Sequence, residues 1–427
     1  MTATVQHVDV LEGRRTSPGL APGTELLGAY RDSGRIEAPS IIRRHDGRMV
    51  EVSPLLHQLA ATLEPGRDLD WVAARLGASL GRSISAASVA YLLDHKLRPL
   101  GVLADSPPAA EGPSTPDLLG LTLHAGVVPA PAVRAFTTVL RPLFFPPVVI
   151  LALAFLINAD VWLWQSHRVG AGLREVFTEP ALMLLVVALT LVSGAFHELG
   201  HATASRYAGA EPGVIGAGIY LLWPVFYNDL NDSYRLSRTD RLRCDLGGVY
   251  FNVLFILVLF GAFGLTGFTP LLVVAAAQHL AILQQFLPFV RLDGYYVVSD
   301  LAGVPDLFRR IRPVLAGGAG NDLKPHARRL VTAWVLLTVP LLAASLIYLG
   351  LHLPALATTM AGSITSLATA IGSGQLATAA VDGVSLLALA FPLIGLTVTV
   401  VRAVRRGADP DVTRRIAKAV LTFGAPR

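Results

Sequence analysis

Six apolar runs of membrane-spanning length follow residue 143 and limit what this chain can fold into. A helix crosses the hydrocarbon core of a bilayer with about 20 apolar residues, and backbone in lipid must satisfy its own hydrogen bonds, so such runs predict helices. The chain is 53% hydrophobic and 15% charged, with a mean hydropathy of +0.55, which is too apolar for a soluble enzyme of this size. The sequence therefore predicts an all-α polytopic membrane protein with about six transmembrane helices, at 144–165, 181–205, 248–268, 271–290, 330–350 and 383–401.

The distribution of arginine and lysine predicts the orientation of these helices. Basic residues are frequent between the second and third runs, between the fourth and fifth runs, and after the sixth run, whereas the expected outer loop 351–382 contains none. Because cytoplasmic loops carry the excess of basic residues, we expect a multi-pass protein of the cell membrane with both termini in the cytoplasm. The net charge of +5 arises beside the apolar runs, so it indicates contact with the bilayer and no nucleic-acid partner.

Polar sequence before the first run predicts a small cytoplasmic domain with α+β structure. Residues 1–37 read as a flexible arm, and residues 38–105 as the domain itself. Asp46-Gly47 predicts a hairpin turn, and Ser53-Pro54 predicts the start of the first of three short helices. This order resembles a winged-helix module of the kind that grips peptides, with a generic small domain as the alternative. The remaining segments are a linker and juxtamembrane segment, a transmembrane domain and a cytoplasmic tail, at 106–142, 143–404 and 405–427.

The sequence His197-Glu198-Leu199-Gly200-His201 lies at the end of the second apolar run and predicts a zinc site. Two histidines four residues apart share one face of a helix and can bind one Zn²⁺ ion, and the glutamate between them can take a proton from a water. The same spacing arises by chance in soluble helices, but unpaired imidazoles and a carboxylate are costly at the end of a lipid-facing run. The single cysteine, Cys244, excludes a cysteine-based zinc site.

Asp293 is the best candidate for a third protein ligand. A catalytic zinc site has three protein ligands and keeps one position for water. Asp293 follows the fourth run, which crosses the membrane in the same direction as the second, so we expect it at a depth similar to that of the histidines. The alternatives are a helix-terminal carboxylate paired with Arg291, or Asp229 and Asp232 as ligands, although such exposed residues more often pair with neighbouring arginines.

These motifs resemble the site-2 protease family of intramembrane zinc metalloproteases, peptidase family M50. Its members carry His-Glu-x-x-His on one span and a later motif like Asn-x-x-Pro-x-Pro-x-Leu-Asp-Gly. The resemblance implies that Glu198 is the general base and that the zinc ligands are His197, His201 and Asp293. It covers residues 180–300 well, and the chain looks closest to bacterial peptide zinc metalloproteases that accompany modified-peptide gene clusters.

Two further residues receive a role from this resemblance. Gln285 stands where the second motif usually has asparagine, and Val290 stands where the second proline often falls. The amide of Gln285 can still hydrogen-bond a substrate backbone. Asn252, after Gly247-Gly248, looks like part of the small-residue motif that opens the next core helix. We therefore expect Gln285 and Asn252 to bind substrate.

The sequence thus predicts a zinc-dependent intramembrane endopeptidase that cleaves membrane-associated peptides or proteins near the cytoplasmic face. Peptide maturation and regulated intramembrane proteolysis both stay open as its role. The glycine-interrupted segment 214–226 is too short to span and predicts a re-entrant or cavity-lining segment, which could offer an edge strand to an extended substrate. The alternatives are a membrane transporter or immunity component with a non-catalytic metal site, and a peptide-binding scaffold.

Overall fold

The computed structural model describes residues 16–106, 121–220, 223–318 and 322–390. The chain divides into two compact units. The first contains residues 1–114, 231–241 and 299–332, and the second contains residues 115–230, 242–298 and 333–427. The start of the expected flexible arm, residues 107–120 of the expected linker and juxtamembrane segment, the end of the sixth expected span and the expected cytoplasmic tail lie outside the described residues.

The first unit contains an antiparallel three-stranded sheet in the order β1-β2-β3. The predicted hairpin is confirmed, because β2 and β3 pair and Gly47 adopts a φ of +81° in the turn between them. The first strand lies in the segment expected to be a flexible arm, and that expectation is wrong for these residues. The strand is short and its pairing with β2 is non-local, so its sequence gave little signal. The strands are β1 Glu25–Ala29, β2 Ser40–Arg43 and β3 Met49–Val52.

Three helices accompany this sheet, at Pro54–Thr62 (α1), Leu69–Leu80 (α2) and Ala86–Leu92 (α3). The Ser53 hydroxyl accepts a hydrogen bond from the Leu56 amide at 3.3 Å, which confirms the predicted cap. The α+β content of this region agrees with the sequence, while the winged-helix topology stays a prediction. The core between sheet and helices includes Ile42, Val52, Leu59, Val72, Leu76, Val89 and Leu97.

A buried ion pair joins separate segments of the first unit. The Arg241 side chain is 4% exposed, and its Nε lies 2.8 Å from Oδ1 of Asp300. The Tyr30 hydroxyl donates to the same oxygen at 3.1 Å. Burial and the negative Asp300 raise the pKa of Tyr30 above its ordinary value, so its hydroxyl stays protonated and available as a donor. This contact fixes a second part of the expected flexible arm.

The other helices follow in chain order, and four of those described are long and apolar enough to cross a membrane: Pro146–Ser166, Pro180–Tyr207, Gly247–Thr266 and Pro325–Gly372. The shorter helices Pro270–Gln285 and Leu376–Ala390 are also apolar. The helices are α4 Ala130–Leu140, α5 Pro146–Ser166, α6 Val169–Thr178, α7 Pro180–Tyr207, α8 Arg238–Asp245, α9 Gly247–Thr266, α10 Pro270–Gln285, α11 Asp293–Ala302, α12 Ile311–Leu315, α13 Pro325–Gly372 and α14 Leu376–Ala390.

These helices only partly agree with the six expected spans. The fourth expected span corresponds to α10, which has 16 residues and ends before Pro288. The segment 351–382, expected to be an outer loop, is helical over residues 351–372, because α13 runs for 48 residues to Gly372 with Pro340 and Pro354 inside it; its position outside the membrane stays a prediction. An apolar helix can tolerate an internal proline where neighbouring helices or local adjustments satisfy the freed backbone carbonyl. Four spans are therefore supported, and six stay a prediction.

The second unit also contains a sheet that the all-α prediction missed. It is antiparallel, in the order β4-β5-β6, with strands at Leu121–Val128, Ile215–Tyr220 and Trp223–Asn228. The segment expected to be re-entrant or cavity-lining is the β5–β6 hairpin. The Asn228 side-chain amide donates to the backbone carbonyl of Glu198 at 3.1 Å. The hairpin therefore lies against the helix that carries the histidine motif.

Candidate metal centre

Helix α7 places His197 and His201 side by side. The helix continues to Tyr207, so the motif lies within regular helix, and the two rings lie one turn apart, edge to face, with centroids separated by 4.7 Å. Both residues are buried, with exposed fractions of 5% and 7%. A helical spacing of four residues thus delivers two imidazole nitrogens to one protected position, as the sequence predicts.

Asp293, the first residue of α11, completes a group of three possible ligands. Its Oδ2 lies 3.2 Å from Nε2 of His197, and its Oδ1 lies 3.3 Å from Nε2 of His201. The two Nε2 atoms are 3.0 Å apart. The structure therefore brings together the three residues that the sequence proposed as zinc ligands, and no other group of three histidine, cysteine or acidic residues with this geometry occurs among the described residues.

Hydrogen bonds on the far side of each ring make this group suitable for a cation. Nδ1 of His201 donates to the backbone carbonyl of Cys244 at 2.7 Å, and Nδ1 of His197 lies 2.6 Å from Oδ1 of Asn252. With Nδ1 protonated, each neutral ring directs the lone pair of Nε2 towards the other ring and towards Asp293. The buried Oδ2 of Asp293 has no hydrogen-bond partner among the described residues. Facing lone pairs and a buried carboxylate repel one another unless a cation lies between them, and two imidazoles with one carboxylate suit zinc.

Two glycines make room for this arrangement. A Cβ atom at Gly248, in the first turn of α9, would collide with Nε2 of both histidines. A Cβ atom at Gly200 would lie 2.8 Å from Cβ of Phe251 and would also collide with the backbone of Gly247. Because side chains are absent at both positions, α7 and α9 approach closely and the space around the ligand nitrogens stays open.

Glu198 follows His197 on α7 and is partly exposed. Its carboxylate lies within electrostatic range of both histidines and of Asp293. Its backbone is held by the hydrogen bond from Asn228 on β6. Glu198 therefore stands beside the three candidate ligands, where a general base for a water at this site is needed.

The two residues expected to bind substrate lie in different environments. Asn252 is buried on α9 with its side-chain oxygen against His197, so it contacts a candidate ligand directly. Gln285 is the last residue of α10, and its carbonyl lies 3.1 Å from the position that a Cβ atom would take at Gly294. It is thus close to the residue after Asp293. Substrate binding by Asn252 and Gln285 stays a prediction.

The alternative ligands have other contacts. Asp232 pairs with Arg235 at 2.9 Å, as expected for an acidic residue in a basic segment. The backbone amide of Asp229 donates to Val214 and extends the β5–β6 pairing. Arg291 is the residue that the alternative interpretation pairs with Asp293. Its guanidinium lies 5.9 Å from the centre of the Tyr295 ring.

Sequence reasoning missed two polar residues behind His197. Oε1 of Gln278 on α10 accepts hydrogen bonds from Oγ of Ser193 at 2.6 Å and from Nδ2 of Asn252 at 3.2 Å. The available signal was an amide in the middle of an apolar run, where a polar side chain needs a partner from another helix. Ser193 gave a second signal, because it lies one turn before His197 on the same helix face.

One curated protein resembles part of this chain. The chain is 27% identical over 141 residues to the Bacillus subtilis (strain 168) protein named "Putative peptide zinc metalloprotease protein YydH". The match covers 32% of this chain and 56% of that protein, so the chain matches about half the length of its relative. No protein-family model matches the chain, and no solved structure matches it. The similarity supports a zinc metalloprotease of some kind.

Proposed function

We propose that this protein is a zinc-dependent endopeptidase that cleaves membrane-associated peptides or proteins within or at the edge of the bilayer. The observation that carries the proposal is the convergence of His197, His201 and Asp293, with the two histidines and Glu198 carried by an apolar helix. The distant similarity to a protein named as a zinc metalloprotease favours an enzyme over a transporter with a non-catalytic metal site. Membership of peptidase family M50 and a role in peptide maturation belong to the same proposal.

The chain supplies the remaining groups that peptide hydrolysis needs. A bound zinc ion, held by His197, His201 and Asp293, would acidify a water and polarise the scissile carbonyl. The Glu198 carboxylate accepts one proton from the attacking water as the new C–O bond forms. Glu198 then returns that proton to the leaving amine as the C–N bond breaks, so the residue ends the cycle ionised. Burial of both histidines keeps their orientation fixed through these steps.

Strand β6 provides a place for an extended substrate. It lies at one edge of the sheet in the order β4-β5-β6, and it contacts the helix of the catalytic motif through Asn228 and through Phe226, whose ring lies 3.2 Å from the position of a Cβ atom at Gly194. The amide of Asp229 donates to the carbonyl of Val214, the residue before β5. Because amides alternate in direction along an antiparallel strand, those of Asn228 and Phe226 point to the open edge. A substrate strand added there gains backbone hydrogen bonds and is held extended for attack.

We expect Phe226→Pro to lower kcat/KM about fivefold more than Phe226→Ala does, because proline removes one edge amide that is worth about 1 kcal/mol as a hydrogen-bond donor. The alanine variant is the matched control, since it loses the same side chain and keeps the amide. Both would be assayed on one tagged single-span peptide in proteoliposomes. Equal activities of the two variants would contradict binding at this edge.

The proposed activity requires metal. We expect treatment of the purified protein with a zinc chelator to reduce cleavage of the same single-span peptide at least 100-fold, because the water loses its activating ion. Adding back about one equivalent of Zn²⁺, but not Mg²⁺, is expected to restore activity, since two imidazoles and one carboxylate favour zinc. Cleavage that persists at full rate after the metal has been removed would rule out the proposed mechanism.

A further inference from the structure

A chain of three hydrogen-bonded side chains holds the His197 ring from behind. Ser193 of α7 contacts Gln278 of α10, Gln278 contacts Asn252 of α9, and Asn252 contacts His197, at 2.6, 3.2 and 2.6 Å. All of these side chains are buried, and Ser193 and Gln278 are each only 1% exposed. Three helices of the second unit thus meet at one polar network in otherwise apolar surroundings. Such a network is stabilising when its donors and acceptors match, and one donor, Nε2 of Gln278, has no hydrogen-bond partner among the described residues.

The network has a direction, and Gln278 sets it. Its Oε1 accepts from the Ser193 hydroxyl and from the Asn252 amide nitrogen. With its nitrogen drawn towards Gln278, Asn252 must present its oxygen to His197. That oxygen can only accept, so Nδ1 of His197 carries the proton and Nε2 keeps its lone pair for the site.

The opposite orientation of the Asn252 amide would prevent His197 from binding a metal ion. If the Asn252 amide turned over, its nitrogen would donate to Nδ1 of His197. The neutral ring would then carry its proton on Nε2, the atom that faces His201 and Asp293. A protonated Nε2 has no lone pair for a metal ion. The orientation of one buried amide therefore decides whether His197 can act as a ligand.

We propose that Gln278 is a positioning residue that locks the Asn252 amide in the orientation required for zinc binding by His197. This inference rests on the proposed zinc site, and it assigns to Asn252 a role in ligand orientation in place of the expected role in substrate binding. Partners behind a ligating histidine fix its tautomer, and their loss typically weakens metal binding by 10–100-fold.

The first test removes the acceptor on Gln278. We expect Gln278→Leu to weaken zinc affinity by about 10–100-fold, measured by competition with a chromophoric chelator, and to change the visible absorption spectrum of the Co²⁺-loaded protein. Gln284→Leu is the matched control, because Gln284 is exposed on the same helix, and it should bind zinc as the wild type does. Wild-type affinity in Gln278→Leu would overturn the inference.

The second test separates positioning from packing. Asn252→Asp replaces the amide by a carboxylate. Both of its oxygens are acceptors, so it presents an acceptor to Nδ1 of His197 in either orientation. In this background we expect Gln278→Leu to change zinc affinity by less than about threefold, whereas a packing defect would weaken zinc binding equally in both backgrounds. Equal losses would overturn the inference and leave the proposed function intact. A wild-type protein that binds no zinc would overturn the proposed function itself, and this inference with it.

Discussion

Glu198→Gln is expected to reduce peptide cleavage by roughly 10³-fold while leaving zinc bound. The amide cannot accept a proton from the attacking water, and general acid–base groups contribute about 10²–10⁴-fold to such reactions. The ligands His197, His201 and Asp293 are unchanged in this variant, and glutamine has nearly the same size as glutamate. The measurement compares cleavage of a single-span peptide in proteoliposomes with the zinc content of the same preparations.

A matched control for this variant is Glu211→Gln, which removes an exposed carboxylate shortly after the end of α7. We expect this control to cleave at the wild-type rate. A Glu198→Gln protein that retains zinc and cleaves as fast as the wild type would assign the base to another residue. Loss of zinc in Glu198→Gln would instead show that Glu198 is itself a ligand.

Gly248→Ala is expected to abolish zinc binding and, as a result, cleavage. The added methyl group would occupy the space where Nε2 of His197 and Nε2 of His201 converge, and α7 and α9 are packed too closely to separate cheaply. The change is the smallest possible at this position and adds no polar group. The measurement is zinc content per chain after equilibrium with excess zinc and removal of unbound metal.

The control for this second variant lies on the same helix. Gly261 of α9 has no atom within 4 Å of the position that a Cβ atom would take, so Gly261→Ala should bind zinc and cleave as the wild type does. Comparing the two variants separates an effect at the site from a general effect of alanine in α9. A Gly248→Ala protein with about one zinc per chain would show that the histidines do not bind metal in the observed orientation.

The grouping of the three candidate ligands was predictable because their signals are local or periodic. His197 and His201 are four residues apart on one helix, and Asp293 follows an apolar run with the same predicted direction as the run that carries them. The proximity of these three residues could be predicted from the direction of the two apolar runs and from the depth at which each run ends. The role of Gly248 required the atomic distance between α7 and α9, which no pattern along the chain contains.

Elements formed by distant pairing were harder to predict. Strand β4 pairs with β5 across some 90 residues of sequence, and the segment 214–226 is apolar, interrupted by glycines and too short to span, so it was interpreted as re-entrant or cavity-lining. In α13, the helix continues through Pro340 and Pro354 to Gly372, whereas the division of the sequence into apolar runs had ended the fifth span at residue 350. Gln278 carried a usable signal, a polar residue within an apolar run, but its partners Ser193 and Asn252 become adjacent only when three helices pack together.

The most direct test of the central claim is the zinc content of the purified wild-type protein beside that of the double variant His197→Ala/His201→Ala. Elemental analysis should find about one zinc per wild-type chain, and none above background in the variant, because the variant keeps only Asp293 of the three ligands. Circular dichroism should show that both proteins have the same helix content. Equal zinc in the two proteins, or none in the wild type, would contradict a metal centre formed by these residues.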